Sequence, residues 1–271
     1  MAAGRNFLWT LNSCVLAAGL ACPALAQEID EDLTTPLRTS TVDDGAPGDI
    51  VIDGSGSVDL EGAPDTAIIT IDSNNSLDND GLLANADANG AIGVLIEGGV
   101  AGQVRNDGAI SLTEDYTRED EDDDDDLDGP IAIGERRTGI ILDGGGAFTG
   151  DIVNDAGGSI TVEGNASAGV QLLSPVSGSF VNDGSISVLG AESVGVDIGA
   201  GVSGDVVLSG PVEVRGEDST AVSIRGPVGG ALSVESSVVS TGFTSTSTTN
   251  YADPDDLTED DTPIADRRDP D

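Results

Sequence analysis

From Gly150 to Gly204 the apolar residues fall into three short runs, and the set of three occurs twice. The stretch GDIVNDAGGSITVEGNASAGVQLLSPVSG is followed directly by SFVNDGSISVLGAESVGVDIGAGVSG. In each pass the first run closes on Asn and Asp followed by Gly (Asn154, Asp155 and Gly157; Asn182, Asp183 and Gly184). The second run alternates (Ile160 and Val162; Ile186 and Val188), and so does the third (Ala168, Val170 and Leu172; Val194, Val196 and Ile198). Followed along the chain, the turn residue is Asp53, Asp80, Asp107, Asp155, Asp183 and Ser209, in steps of 27, 27, 48, 28 and 26 residues.

A period in the mid-twenties with three alternating strands and Gly or Asn at the corners is what a parallel β-solenoid requires, because one coil cannot bury its own apolar row but a stack can. The third strand predicts an inward row of Ile92, Val94 and Ile96, then Thr138, Ile140 and Leu142, and so on to Thr220, Val222 and Ile224. Successive members are expected roughly 4.8 Å apart. Gly93, Gly139 and Ser223 between them are expected on a solvated outer face. Asn79, Asn106, Asn154 and Asn182 fall at one corner, where Asn tolerates left-handed geometry, and in register their amides form a ladder. Asn-Asp-Gly also marks hairpin turns, so an antiparallel sandwich is the rival. The regular period favours the solenoid, since sandwich strands seldom repeat their own sequence.

The pattern divides the chain. Residues 1–26 read as a secretory signal peptide, with Arg5 before an apolar run from Phe7 to Ala21 and a small-residue cleavage site at Ala24, Leu25 and Ala26. A lipoprotein leader acylated at Cys22 is the rival; a membrane anchor would need a longer apolar run. Residues 27–47 are acidic and Thr-rich without a sustained pattern, an expected lead-in or poorly formed cap. Residues 48–242 carry about seven coils, a length of roughly 30 to 35 Å. The third is broken by an insertion at about 113–135 containing five consecutive acids, Asp122 to Asp126. Residues 243–271 resemble that insertion: each has a Tyr (Tyr116, Tyr251), an acid run, Pro and Ile, then an Arg pair (Arg136 and Arg137; Arg267 and Arg268). In the first a third strand follows the pair; in the second none does, and the sequence is expected to be an N-terminal part of a longer protein.

Composition narrows the chemistry. Fifty acids against ten bases, all of them Arg, give a net charge of -40, which disfavours nucleic acid as a partner. With no His or Lys, a Ser-His-Asp nucleophile is impossible and a lyase base is limited to Arg. Aromatic residues after the leader are Phe148, Phe180, Phe243, Tyr116 and Tyr251, few for stacking sugar rings. Both cysteines precede residue 23, so beyond the leader there is neither a disulfide nor a thiolate site. The acidic insertion reads either as a divalent-cation loop or as a solvated, self-repelling run; the ligand spacing of a calcium loop is missing, which favours the second. No catalytic, cofactor or metal residue is singled out.

Together the leader, the repeated Asn-Asp-Gly, Ser-Ile-x-Val and Gly-Val-x-Ile segments and the acidic inserts resemble the passenger region of type V autotransporters of Gram-negative bacteria. That resemblance implies Sec-type export, an all-β, right-handed parallel β-helix, and a C-terminal outer-membrane β-barrel that carries the passenger to the cell surface. The sequence has no series of barrel strands, so the translocator would be a missing partner. The expected role is a non-enzymatic stalk or adhesive surface making host or cell-cell contacts, without cofactor and without membrane insertion by the mature chain. A secreted carbohydrate-active β-helix enzyme and a calcium-dependent surface module are the alternatives.

Overall fold

The computed structural model describes residues 26–119 and 129–242. The leader up to residue 25, the acid run and the tail from 243 lie outside the described residues. The described chain is all strand and turn, without a helix, and its strands stack in parallel. The first sheet holds Gln27–Ile29, Ile50–Ile52, Leu77–Asn79, Val104–Asn106, Ile152–Asn154, Phe180–Asn182, Val206–Leu208 and Leu232–Val234. The second holds Asp32–Leu33, Ser57–Asp59, Leu82–Ala84, Ala109–Leu112, Ser159–Glu163, Ser185–Leu189, Val212–Arg215 and Val238–Thr241. The third holds Leu37–Arg38, Ala67–Ile71, Ile92–Glu97, Thr138–Asp143, Ala168–Leu172, Val194–Ile198 and Thr220–Ile224. The molecule is a right-handed parallel β-helix of about eight turns.

One turn more than expected comes from the N-terminal side. Residues 27–47 are not a patternless lead-in: they form a first coil, with Ile29 opposite Ile52, Leu33 opposite Val58 and Leu37 opposite Ile69. Asp72 fastens this coil to the next, accepting hydrogen bonds from Arg38 Nε at 2.9 Å, Ser40 N–H at 2.9 Å and Ser40 Oγ at 2.8 Å. Burial pushes the Asp72 carboxyl up, but the Ser40 bonds and then Arg38 outweigh it and hold the group below its usual range.

The insertion leaves the register intact, since Thr138 lies opposite both Ile92 and Ala168, and Leu142 opposite both Ile96 and Leu172. Inside, second-sheet residues Val58, Leu83, Ile110, Ile160, Ile186 and Val212 form one buried column. Each such side chain contributes about 1.5 to 3 kcal/mol by leaving water. In the third sheet Val94, Ile96, Ile140 and Leu142 are buried as expected, but Ile92 and Val194 are only half-buried and Thr220 is exposed. Gly93 and Gly139 are buried rather than solvated. Pairing skips this position, so alternation breaks there. A Cβ on Gly93 would strike the Gly139 carbonyl and Ile110 Cγ2 of the following coil.

The four corner asparagines are buried and form the ladder. Asn79 Nδ2 donates to Asn106 Oδ1 at 2.7 Å, Asn106 Nδ2 to Asn154 Oδ1 at 2.7 Å, and Asn154 Nδ2 to Asn182 Oδ1 at 2.8 Å. They are not left-handed; the non-glycine residues with positive φ include Arg136, Ala166, Glu192 and Asp218, at the corner before the third sheet. Beside the ladder, Gly56, Gly81, Gly108, Gly158, Gly184 and Gly210 mark the same corner in successive coils, and at each a Cβ would meet a backbone carbonyl of the coil beneath. At Gly184 it would meet the Gly158 and Asp155 carbonyls, which cannot move without opening the stack. Gly184→Ala is expected to lower unfolding free energy by about 2 to 3 kcal/mol in a urea titration. Gly145→Ala, where nothing lies within 4 Å, should stay within about 0.5 kcal/mol.

Candidate functional site

The feature that departs from the repeat is the insertion, and the structure describes its two ends. The outgoing strand Ala109–Leu112 leads to Glu114, whose side chain is 4% exposed. Glu114 Oε1 accepts the Ile133 N–H at 2.9 Å, and its Oε2 accepts the Gly134 N–H at 2.6 Å. One carboxylate on the way out therefore holds the backbone on the way in. Arg137 closes the stem from the other side and is fully buried. Its Nε donates to the Ala88 carbonyl at 2.9 Å and its Nη1 to the Glu163 carbonyl at 2.6 Å, with Glu114 Oε2 at 3.4 Å.

The returning residues are threaded as an ordinary corner. Gly90 N–H donates to the Glu135 carbonyl and Asn165 N–H to the Gly134 carbonyl. Asn165 Nδ2 adds a bond to the Ala132 carbonyl, and Glu135 N–H one to Asn89 Oδ1. The loop thus begins and ends on fixed positions of the solenoid wall, as loops that carry binding residues commonly do. The pairing of acid run and Arg pair was legible, but not that Arg136 stays exposed while Arg137 is enclosed. Nothing in the local sequence distinguishes the two; the acceptors for Arg137 come from three other places in the chain.

A second charged constellation lies on the outer face of the first sheet. Arg105 contacts Asp78 at 2.6 Å, Asp80 at 2.9 Å, Asp107 at 2.8 Å and Asp155 at 3.0 Å. Asp80, Asp107 and Asp155 belong to the stacked turn residues, and a single guanidinium offsets their repulsion across three coils. Its bonds to Asp78 and then to Asp80 hold the Arg105 proton more firmly than usual. The Ala156 N–H and then Arg105 hold the Asp155 carboxyl below its usual range.

Because the Asp155 value is depressed in the fold, its contribution is complete above the unfolded value near about 3.9 and is lost as pH falls through the lower folded value. Arg105→Gln should lower stability at neutral pH by about 1 to 2 kcal/mol at low ionic strength, less in 0.5 M salt. Urea titrations across pH 2 to 7 should show a shallower acid limb in the variant than in the wild type.

Among the described residues no group of three or more acids, His or Cys is arranged to hold a metal ion. Two shallow depressions lie at the N-terminal end, one of about 520 Å³ lined by Asp32, Ser57, Asp59, Leu60 and Glu61, the other of about 410 Å³ lined by Ile29, Leu33, Pro36, Leu37 and Val42. Asp32 in the first is already bonded by Ser57 Oγ at 2.8 Å. Comparison with known protein families, curated proteins and solved structures finds no match to any of them.

Proposed function

We propose that the protein is an exported structural β-helix of the autotransporter-passenger kind, a stiff rod that carries an acidic loop on its side. The observation that carries this reading is the unbroken stack: two of the parallel ladders run through eight strands and the third through seven, and the register passes the insertion unchanged. A rod built this way resists bending, because successive coils are hydrogen-bonded to one another along parallel sheets. The acidic surface keeps it soluble and opposes side-to-side association. Its corners are free to accept insertions, and the Glu114 and Arg137 clamp fixes where this one emerges.

Cell fractionation with protease shaving of the intact producing cells tests the reading. The expected result is a chain that begins at Gln27, reaches the cell surface and is cut first within 115–132. A chain that keeps Met1 and stays in the cytoplasm would sink it.

A further inference from the structure

Three coils on the C-terminal side of the insertion carry a row that breaks the outward pattern. At the outward centre of the second sheet they present Thr161, Ser187 and Glu213, and at that of the third Gln171, Asp197 and Ser223. At that of the first they present Val153, Val181 and Val207, stacked coil on coil and half-buried. Strand propensity favours valine on any sheet, so it does not explain why the valines gather on one.

Acids flank the row on both sides. Asp151 and Asp205 stand two residues before Val153 and Val207, and Asp183 two residues after Val181; all three are exposed. Among the described residues no Arg reaches any of them. Asp151 accepts the Ser179 N–H at 2.8 Å and Asp205 the Ala231 N–H at 2.7 Å, each through Oδ1, so Oδ2 of each can take a second donor. The preceding coil shows what such a setting holds. Arg105 occupies the same column, opposite Val153, and its guanidinium pairs with Asp78, Asp80, Asp107 and Asp155. A cation over this face is thus held by carboxylates from several coils. Beyond Val153 the chain supplies the carboxylates without the cation.

Spacing and charge define the occupant. Coils repeat at about 4.8 Å and side chains one turn apart on a helix at about 5.4 Å, so a helix laid along the axis keeps an apolar residue over each valine for three coils. A strand laid on that line repeats at about 6.8 Å and falls out of step. A second copy of this chain would present acids to acids and be repelled. We propose that Val153, Val181 and Val207, with Asp151, Asp183 and Asp205 beside them, form a docking strip for a basic amphipathic helix of another polypeptide. Its apolar stripe lies on the valines, and Lys or Arg stems reach past them to the carboxylates. Such docking requires neither export nor a stalk role.

Fluorescence anisotropy of the full chain with two labelled peptides of Leu and Arg tests the strip, one with its leucines on a single helical face and one of the same composition with them scattered. The expected result is saturable binding, about tenfold or more tighter for the first peptide. Val181→Ser should weaken that peptide about fivefold or more, whereas Leu189→Ser, which removes a half-buried residue of the second sheet, should leave it within about twofold. Asp183→Asn, which keeps the size of the turn residue, should weaken it about threefold and flatten its salt dependence; Asp218→Asn at another corner should do neither. Equal affinity of the two peptides would mean charge attraction alone and overturn the strip. So would equal losses in Val181→Ser and Leu189→Ser, or in Asp183→Asn and Asp218→Asn.

Discussion

Arg137→Ala is expected to destabilise the protein by about 3 to 5 kcal/mol, the cost of leaving a buried ion without its partner. The guanidinium is enclosed, its side chain 2% exposed beside a Glu114 that is 4% exposed. Truncation removes that carboxylate's counter-charge, leaving it only the Ile133 and Gly134 N–H bonds, and takes the Arg137 donors from the Ala88 and Glu163 carbonyls. The loss should show as an earlier thermal transition, accompanied by faster limited proteolysis within 115–132. Glu114→Gln combined with Arg137→Met removes both charges, and the pair should lose less than the sum of the two single changes. A single variant that melts with the wild type would place the guanidinium in solvent and remove the clamp.

Asn154→Leu should cost about 2 to 4 kcal/mol although it puts an apolar side chain of similar size into a buried site. The substitution interrupts the ladder in its middle. Asn106 Nδ2 loses its 2.7 Å acceptor, and Asn182 Oδ1 loses its 2.8 Å donor. Two amide groups then stay buried with unmet bonds, at about 1 to 3 kcal/mol each. The ladder's ends are different: Ile52 and Leu208 occupy the same column and are themselves buried. Asn79 Oδ1, facing Ile52's coil, is already without a partner. A urea titration of Asn154→Leu that overlays the wild type would mean that these amides are hydrated rather than bonded to one another.

The columns were legible because they are written once per coil. Ile110, Ile160 and Ile186 recur at the same place in a repeated segment, and the four asparagines recur beside a Gly. The first coil was not legible because Asp32–Leu33 and Leu37–Arg38 are two residues long, too short for alternation to show. Gly93 and Gly139 follow the outward phase of a period-two strand, but the strand breaks phase at the glycine so that Ile Cγ2 atoms from the second sheet can approach. Arg137 reads as one of two surface arginines until Ala88, Glu114 and Glu163 are brought to it from 49, 23 and 26 residues away. Arg105 is similar: three of its four carboxylates lie 25, 27 and 50 residues distant. Repeats reveal what every coil shares and conceal what one coil does alone.

The central claim is that sequence distance converts to height at one coil per period, whatever lies between. Asp59, Ala84, Ser111, Thr161, Ser187 and Glu213 share one outward column of the second sheet. Residues 27–271 contain no cysteine, so spin labels can be placed in pairs on a cysteine-free background. Electron-electron distances from Asp59 to Thr161, Ser187 and Glu213 should rise in equal steps of about 4.8 Å, to roughly 14, 19 and 24 Å. The pair that spans the insertion should fall on the same line. Distances that do not increase by one rise per coil, or that fold back as in an antiparallel sandwich, would contradict the solenoid and everything built on it.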